Sequence, residues 1–231
     1  MRNILVVAPH PDDEMFGCGG TMARHCESGD RVEVVIVTRG IPELWPDEVI
    51  SQTRREARAA NQFLGVKKVH FLDFPAPKLD QVPMHVLADS IRKVVLDVRP
   101  HMVYVPHRGD IHHDHQAVHR AVCVAVRPSP DYTVERVLSY ETPSETEWAA
   151  SGDDAFAPNV FVDISACLDR KLDAVSHYRS QLRPPPHPRS LETIRVMARL
   201  RGSVVCAEAA EAFVLVREYL PRSTPGAQRR P

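Results

Sequence analysis

Two short stretches gather the side chains able to bind a cation or move a proton. They are Pro9-His10-Pro11-Asp12-Asp13-Glu14 and His107-Arg108-Gly109-Asp110-Ile111-His112-His113-Asp114-His115. His10, Asp13 and His115 make a two-histidine, one-carboxylate set, and three protein ligands with water at the open position is the arrangement of hydrolytic zinc sites. Zinc in such a site brings its water to a pKa of about 7 and polarises a carbonyl oxygen. Fe(II) uses the same ligand types, so ligand identity alone leaves the metal open. Consecutive aspartates divide the labour, because neighbouring side chains point in different directions. Asp13 then reaches the cation while Asp12 faces the water as general base, a role typically worth about 10²- to 10⁴-fold. His112 donates to the developing oxyanion and then protonates the departing amine, with Asp114 holding its imidazole in tautomer and orientation.

Plain helix capping is the bland alternative for both stretches, with Asp13 or Glu14 at one helix start and Asp114 at another. Three histidines within four positions exceed what a cap needs. His113 points away between two working neighbours. His119, one helical turn past His115, is expected at the surface, and Cys18 is a small loop residue rather than a fourth ligand.

The elements that must position these residues are legible in the hydrophobic pattern. Ile4–Val7 is a β-branched run ending at Ala8-Pro9, as a buried parallel strand ends at the rim of its sheet. Glycines 17, 19 and 20 read as a tight turn before a helix near Thr21. Further strands are expected at 32–38, 66–72 and 102–105, with helices at 48–64, 84–98 and from 114 or 115 to 126. Strand and helix alternate through four strands, which implies a Rossmann-like, mainly parallel α/β sheet with helices on both faces. Right-handed crossovers put the carboxyl ends of all parallel strands on one rim. The two ligand-rich loops, a hundred residues apart in sequence, therefore meet there. The last third is less regular, with strands expected at 134–141 and 159–164, helices at 168–178 and 191–201, and an apolar run at 213–216.

Composition narrows the classes. The 231 residues, 43% hydrophobic and 26% charged, fit a single domain over 1–220, with residues 221–231 expected to be a disordered tail. With 29 Lys+Arg against 30 Asp+Glu there is no basic field for nucleic acid. No apolar run approaches the roughly 20 residues that span a bilayer. Met1-Arg2-Asn3 leads straight into a core strand without a signal peptide, and five cysteines without a Cys-x-x-Cys pair read as reduced thiols. A cytoplasmic location is the resulting expectation. Two other readings are weaker. A nucleotide-binding module through Gly17-x-Gly19-Gly20 lacks the Gly-x-Gly-x-x-Gly spacing and has acids where phosphate would sit. A phosphoesterase usually holds two metals about 3.5–4 Å apart, and good ligands are present for one.

The motifs Ala8-Pro-His-Pro-Asp-Asp-Glu14, the following Gly-x-Gly-Gly and Asp110-Ile-His-His-Asp-His115 resemble the zinc-dependent N-deacetylases of the PIG-L/LmbE type. The likeness continues through Glu56–Gly65, Tyr140-Glu-Thr-Pro-Ser144, Pro188-Arg-Ser190 and Ala210-Glu-Ala-Phe213. It implies a deacetylase acting on N-acetylglucosamine-type units, with one Zn2+ on His10, Asp13 and His115, Asp12 as base, and His112 with Asp114 assisting. It further implies an arginine near the start of the second helix that steadies the base, here Arg54. Some members carry a tyrosine where this chain has Asp110, so His112 and zinc would do more of the oxyanion work. Asp110 would instead bind a sugar hydroxyl or support the loop. The partner implied is a small N-acetylated amino sugar or glycoconjugate. Members form dimers and hexamers, so a homo-oligomer is allowed. Arg54, Asp110, Arg189 and Glu211 are the substrate-contact candidates, with Arg39, Glu141, Trp148 and His187 behind them.

Overall fold

The computed structural model describes residues 1–130, 132–150, 152 and 154–221. The tail expected to be disordered therefore lies outside the described residues, apart from Pro221. One seven-stranded sheet organises the chain, built from β1 (Asn3–Ala8), β2 (Arg31–Gly40), β3 (Lys68–Ala76), β4 (Met102–Pro106), β5 (Arg136–Tyr140), β6 (Val160–Asp163) and β7 (Ala210–Glu218). Their order is β3-β2-β1-β4-β5-β7-β6. The first five are parallel, and β7 runs antiparallel to both β5 and β6. The helices are α1 (Asp13–Glu27), α2 (Asp47–Leu64), α3 (Met84–Val98), α4 (His113–Ala125), α5 (Leu168–Val175) and α6 (Leu191–Ser203). Among the described residues, no helix is long and apolar enough to cross a membrane.

The period-2 alternation of β1 divides the core. Ile4, Val6 and Ala8 face α1, α2, α5 and α6, while Leu5 and Val7 face α3 and α4. β1 is buried on both faces, which accounts for its unbroken apolar run. The chain winds outward from β1 in two directions, to β2 and β3 on one side and to β4 and β5 on the other. The crevice above β1 and β4 is thus the switch point where open α/β sheets bind ligands.

The glycine stretch departs from the sequence expectation. Gly17, Gly19 and Gly20 lie inside α1, which begins at Asp13 rather than near Thr21. Their purpose is close approach, not turning. A Cβ on Gly17 would stand 2.3 Å from Tyr140 Cδ2, and one on Gly20 would stand 2.6 Å from Ile164 Cδ1. α1 therefore presses against β5 and the segment after β6, and Cys18 is a buried helix residue rather than a loop one. β3 also runs further than expected, through Ala76, because it pairs with β2 as far as Gly40.

Candidate metal centre and its proton-transfer residues

The loop after β1 turns directly into α1 at Asp12. The residue adopts φ 127°, a region where a side chain is strained. Three contacts hold it. Its carbonyl accepts the N–H groups of Met15 and Phe16, and its own N–H donates to Glu14 Oε2 at 3.1 Å. Glu14 is in turn fixed by donation from the Tyr178 hydroxyl and from Asn61 Nδ2 at 2.8 Å. Asp12 caps α1 through its backbone alone, which leaves its carboxylate free to point elsewhere. Thr38, near the end of β2, donates through both N–H and hydroxyl to the Pro9 carbonyl and pins the loop from the other side.

His10 and His115 come together as the alternating topology requires, with ring centroids 5.3 Å apart. Asp13 lies between them: its Oδ2 is 3.3 Å from His10 Nδ1 and 3.3 Å from His115 Nε2. Each imidazole is steadied on its far nitrogen by a carboxylate, Asp114 Oδ2 at 3.0 Å from His10 Nε2 and Asp110 Oδ2 at 2.8 Å from His115 Nδ1. A carboxylate on the far nitrogen is how metal-binding histidines are usually oriented. Asp13 Oδ1 and His115 Nε2 are buried and have no hydrogen-bond partner. Buried polar atoms left unpaired are costly, and these two belong to a donor set suited to zinc. One ligand atom from each of His10, Asp13 and His115 falls within 4.8 Å of the others. Ligand atoms of His10, His112 and Asp114 lie equally close together, but Asp114 and the Nδ1 of His112 are already engaged. Asp114 Oδ1 accepts the Leu79 N–H, and His112 Nδ1 accepts the Asp114 N–H.

The electrostatics follow from three aspartates around two imidazoles. Burial alone would lower both histidines. Asp114 and Asp13 nevertheless raise His10 to about 9, and Asp13 with Asp110 raises His115 to about 10. Asp13 moves the other way: burial resists its ionisation, but the neighbouring imidazoles hold it well below the carboxylate range. The cluster thus attracts positive charge strongly. His112 is pushed down to about 4 by burial and by the charges on His10 and His115, so it is neutral. With Nδ1 accepting from Asp114, its proton sits on Nε2.

Asp12 is only 2% exposed, and its Oδ2 meets Arg189 Nη1 at 3.1 Å. Burial pushes the carboxyl up to about 8, with Arg189 pulling against it. Arg189 also donates to Ser144 Oγ at 2.7 Å and to Glu145 at 3.3 Å. Asp12, His10, His112 and Arg189 all border one open cavity of about 240 Å³, which extends past Arg54 to Arg39 and Trp45.

Similarity to known proteins bears on this arrangement. The PIG-L family, described as GlcNAc-PI de-N-acetylase, matches residues 5–126. The chain belongs to the PIG-L family. The deacetylase YaiS of Escherichia coli (strain K12), described as uncharacterized, is 33% identical over 185 residues, 78% of this chain and 91% of that one. A probable N-acetyl-alpha-D-glucosaminyl L-malate deacetylase 2 of Bacillus cereus is 31% identical over 191 residues, 78% of this chain and 84% of that one. Among solved structures, the conserved protein TT1542 from Thermus thermophilus is 32% identical with a TM-score of 0.75, covering 99% of this chain and 100% of that one.

Within this PIG-L chain several side chains sit differently from the sequence expectation. Asp114 does not hold His112 through its carboxylate; the carboxylate takes His10, and the Asp114 backbone N–H fixes His112. Arg54 does not touch Asp12. It pairs with Asp73 and stacks 4.1 Å above the Phe71 ring while lining the cavity. The arginine on Asp12 is Arg189, delivered by the proline-rich loop before α6. Asp110 is fully buried and supports His115. Glu211 is buried, accepts the N–H groups of Gly20 and Thr21, and pairs with Lys171. Glu141 is engaged by Arg201, and Trp148 packs edge-on against His187. His119 is buried and donates to the Pro106 carbonyl rather than lying at the surface. Sequence reasoning gave no role to Ser144, Glu145 or Thr146, which all belong to the site. Their signal was position, just after a strand expected at 134–141.

Proposed function

We propose that this chain is a zinc-dependent hydrolase that removes the N-acetyl group from an N-acetylglucosamine-type amino sugar or its conjugate, with residues 1–220 as one deacetylase domain. The observation that carries this reading is the pair of buried, unpartnered ligand atoms, Asp13 Oδ1 and His115 Nε2, beside a cavity that His10 and Asp12 border. The names of the relatives supply the substrate class. His10, Asp13 and His115 would hold the zinc, whose contribution when bound is Lewis-acid polarisation and a more acidic water.

The remaining steps belong to the chain's own side chains. Asp12, turned into the cavity by its φ of 127° and held there by Arg189, takes the proton of the attacking water. The proton it takes is the one the departing amine needs. His112, neutral with its proton on Nε2, hydrogen-bonds the oxygen of the amide as negative charge develops there and then the departing nitrogen. Asp114 keeps His10 in the tautomer that leaves Nδ1 for the metal.

The test is a screen of N-acetylglucosamine conjugates with zinc-loaded and chelator-stripped protein, read by mass for loss of an acetyl group. Zinc-dependent release of acetate with an equal amount of free amine is expected. Stoichiometry near two metals per chain, or no acetyl loss from any N-acetylated sugar, overturns the reading.

A further inference from the structure

The segment Thr142–Glu147 follows β5, the strand beside β4, and reaches both halves of the site. Thr146 donates its hydroxyl to Asp110 Oδ1 at 2.6 Å, while the same hydroxyl oxygen accepts the Thr142 N–H at 2.8 Å. The Thr142 backbone N–H can only donate, which leaves the hydroxyl proton of Thr146 for Asp110. Asp110 spends its other oxygen on His115 Nδ1 at 2.8 Å. Two residues earlier, Ser144 Oγ accepts from Arg189 Nε at 2.7 Å, and Arg189 holds Asp12 at 3.1 Å.

The turn is itself rigid. Its residues 145 and 146 donate backbone N–H groups to the Thr142 carbonyl, and the Ser144 N–H donates to Glu147 at 2.7 Å. Ile111 N–H donates to the Glu145 carbonyl at 3.0 Å, tying the turn to the loop that carries Asp110. Ser144 stands at φ 72°, a conformation kept only where surroundings enforce it.

We propose that the 142–147 turn sets the spacing between the metal-binding and proton-transfer halves of the site: Thr146 positions His115 through Asp110, and Ser144 positions Asp12 through Arg189. Both are positioning residues, and neither lines the cavity. The inference deepens the zinc-hydrolase reading and rests on it. Physically, one braced turn removes the independent drift of two loops whose reacting groups must stay aligned to fractions of an ångström.

The two arms are separable by experiment. Thr146→Val keeps the side-chain shape and removes the donor, and Thr146→Ser restores the hydroxyl. Ser144→Gly removes the other hydroxyl while suiting the positive φ. Zinc affinity is measured by competition with a chromogenic chelator, alongside kcat and KM at saturating zinc and the thermal midpoint. Thr146→Val is expected to weaken zinc binding measurably, by less than the about 10- to 100-fold that loss of the histidine's direct partner costs, with Thr146→Ser near wild type. Ser144→Gly is expected to leave zinc affinity unchanged and to lower kcat about tenfold or more at nearly constant KM. Unchanged zinc affinity in Thr146→Val, or losses in both variants that merely track the thermal midpoint, overturns the positioning role alone. Wild-type protein that takes up no zinc overturns the zinc-hydrolase reading and this inference with it.

Discussion

Asp12 and Arg189 stand 177 residues apart in sequence, and their side chains meet at 3.1 Å beside the cluster of His10, Asp13 and His115. The pair joins the first loop of the sheet to the last proline-rich loop before α6. Burial raises the carboxyl while the guanidinium restrains that rise, so the contact tunes the group proposed to accept the proton. Removing either partner should impair turnover while sparing the ligands. Asp12→Ala is expected to lower kcat by about 10²- to 10⁴-fold, and Arg189→Met by about tenfold or more. Zinc content by elemental analysis should stay at wild-type level in both; loss of zinc would place these residues among the ligands instead.

Lys171 and Glu211 form a buried ion pair, 4–5% exposed at the side chains, inserted beside α1. Lys171 donates to the Phe16 carbonyl, and Glu211 accepts the N–H groups of Gly20 and Thr21. The pair thus occupies backbone groups of α1 that helical bonding would otherwise use. Lys171→Met strands the Glu211 charge, and a loss of about 3–5 kcal/mol is expected for breaking a buried pair on one side. Urea unfolding followed by circular dichroism measures it, and a loss below about 1 kcal/mol would show that water reaches Glu211.

Glu33 sits on β2 between Arg31 and His70, at 2.7 Å from each in hydrogen-bonded contact. Burial opposes its ionisation, but His70 and Arg31 hold its pKa below the ordinary value. Its folded pKa is the lower one, so its stabilising contribution is fully present above the unfolded value of about 4.3 and is lost as pH falls through the folded pKa. The difference in stability between wild type and Glu33→Gln should therefore shrink on acidification below about 4.3. A difference that grows on acidification below about 4.3 would reverse the sign and the assignment.

Gly17→Ala places a methyl group 2.3 Å from the Tyr140 ring, which is fully buried and donates to the Val7 carbonyl. The ring cannot yield without breaking that bond. Overpacking of this kind costs about 1–3 kcal/mol, whereas Gly29→Ala meets nothing within 4 Å and loses only through its positive φ. Parallel thermal melts check it; equal stability of Gly17→Ala and wild type would mean that α1 can slide away from β5.

The alternation of strands and helices, the two histidine- and aspartate-rich loops and the sharing of one rim by His10, Asp13 and His115 were legible in the amino-acid order. Hydrophobic periodicity is local, and crossover handedness then leaves little freedom for where parallel strands end. The glycines of α1 misled because close packing against Tyr140 and Ile164 calls for the same residue type as a tight turn. Which acid serves which imidazole, Asp114 for His10 and Asp110 for His115, was decided only in three dimensions. So was the partnership of Asp12 with Arg189 rather than Arg54, and the use of Ser144 and Thr146. Hydrogen bonds reach about 3 Å and depend on side-chain direction, so pairings across loops that are distant in sequence exist only once the sheet has brought those loops together.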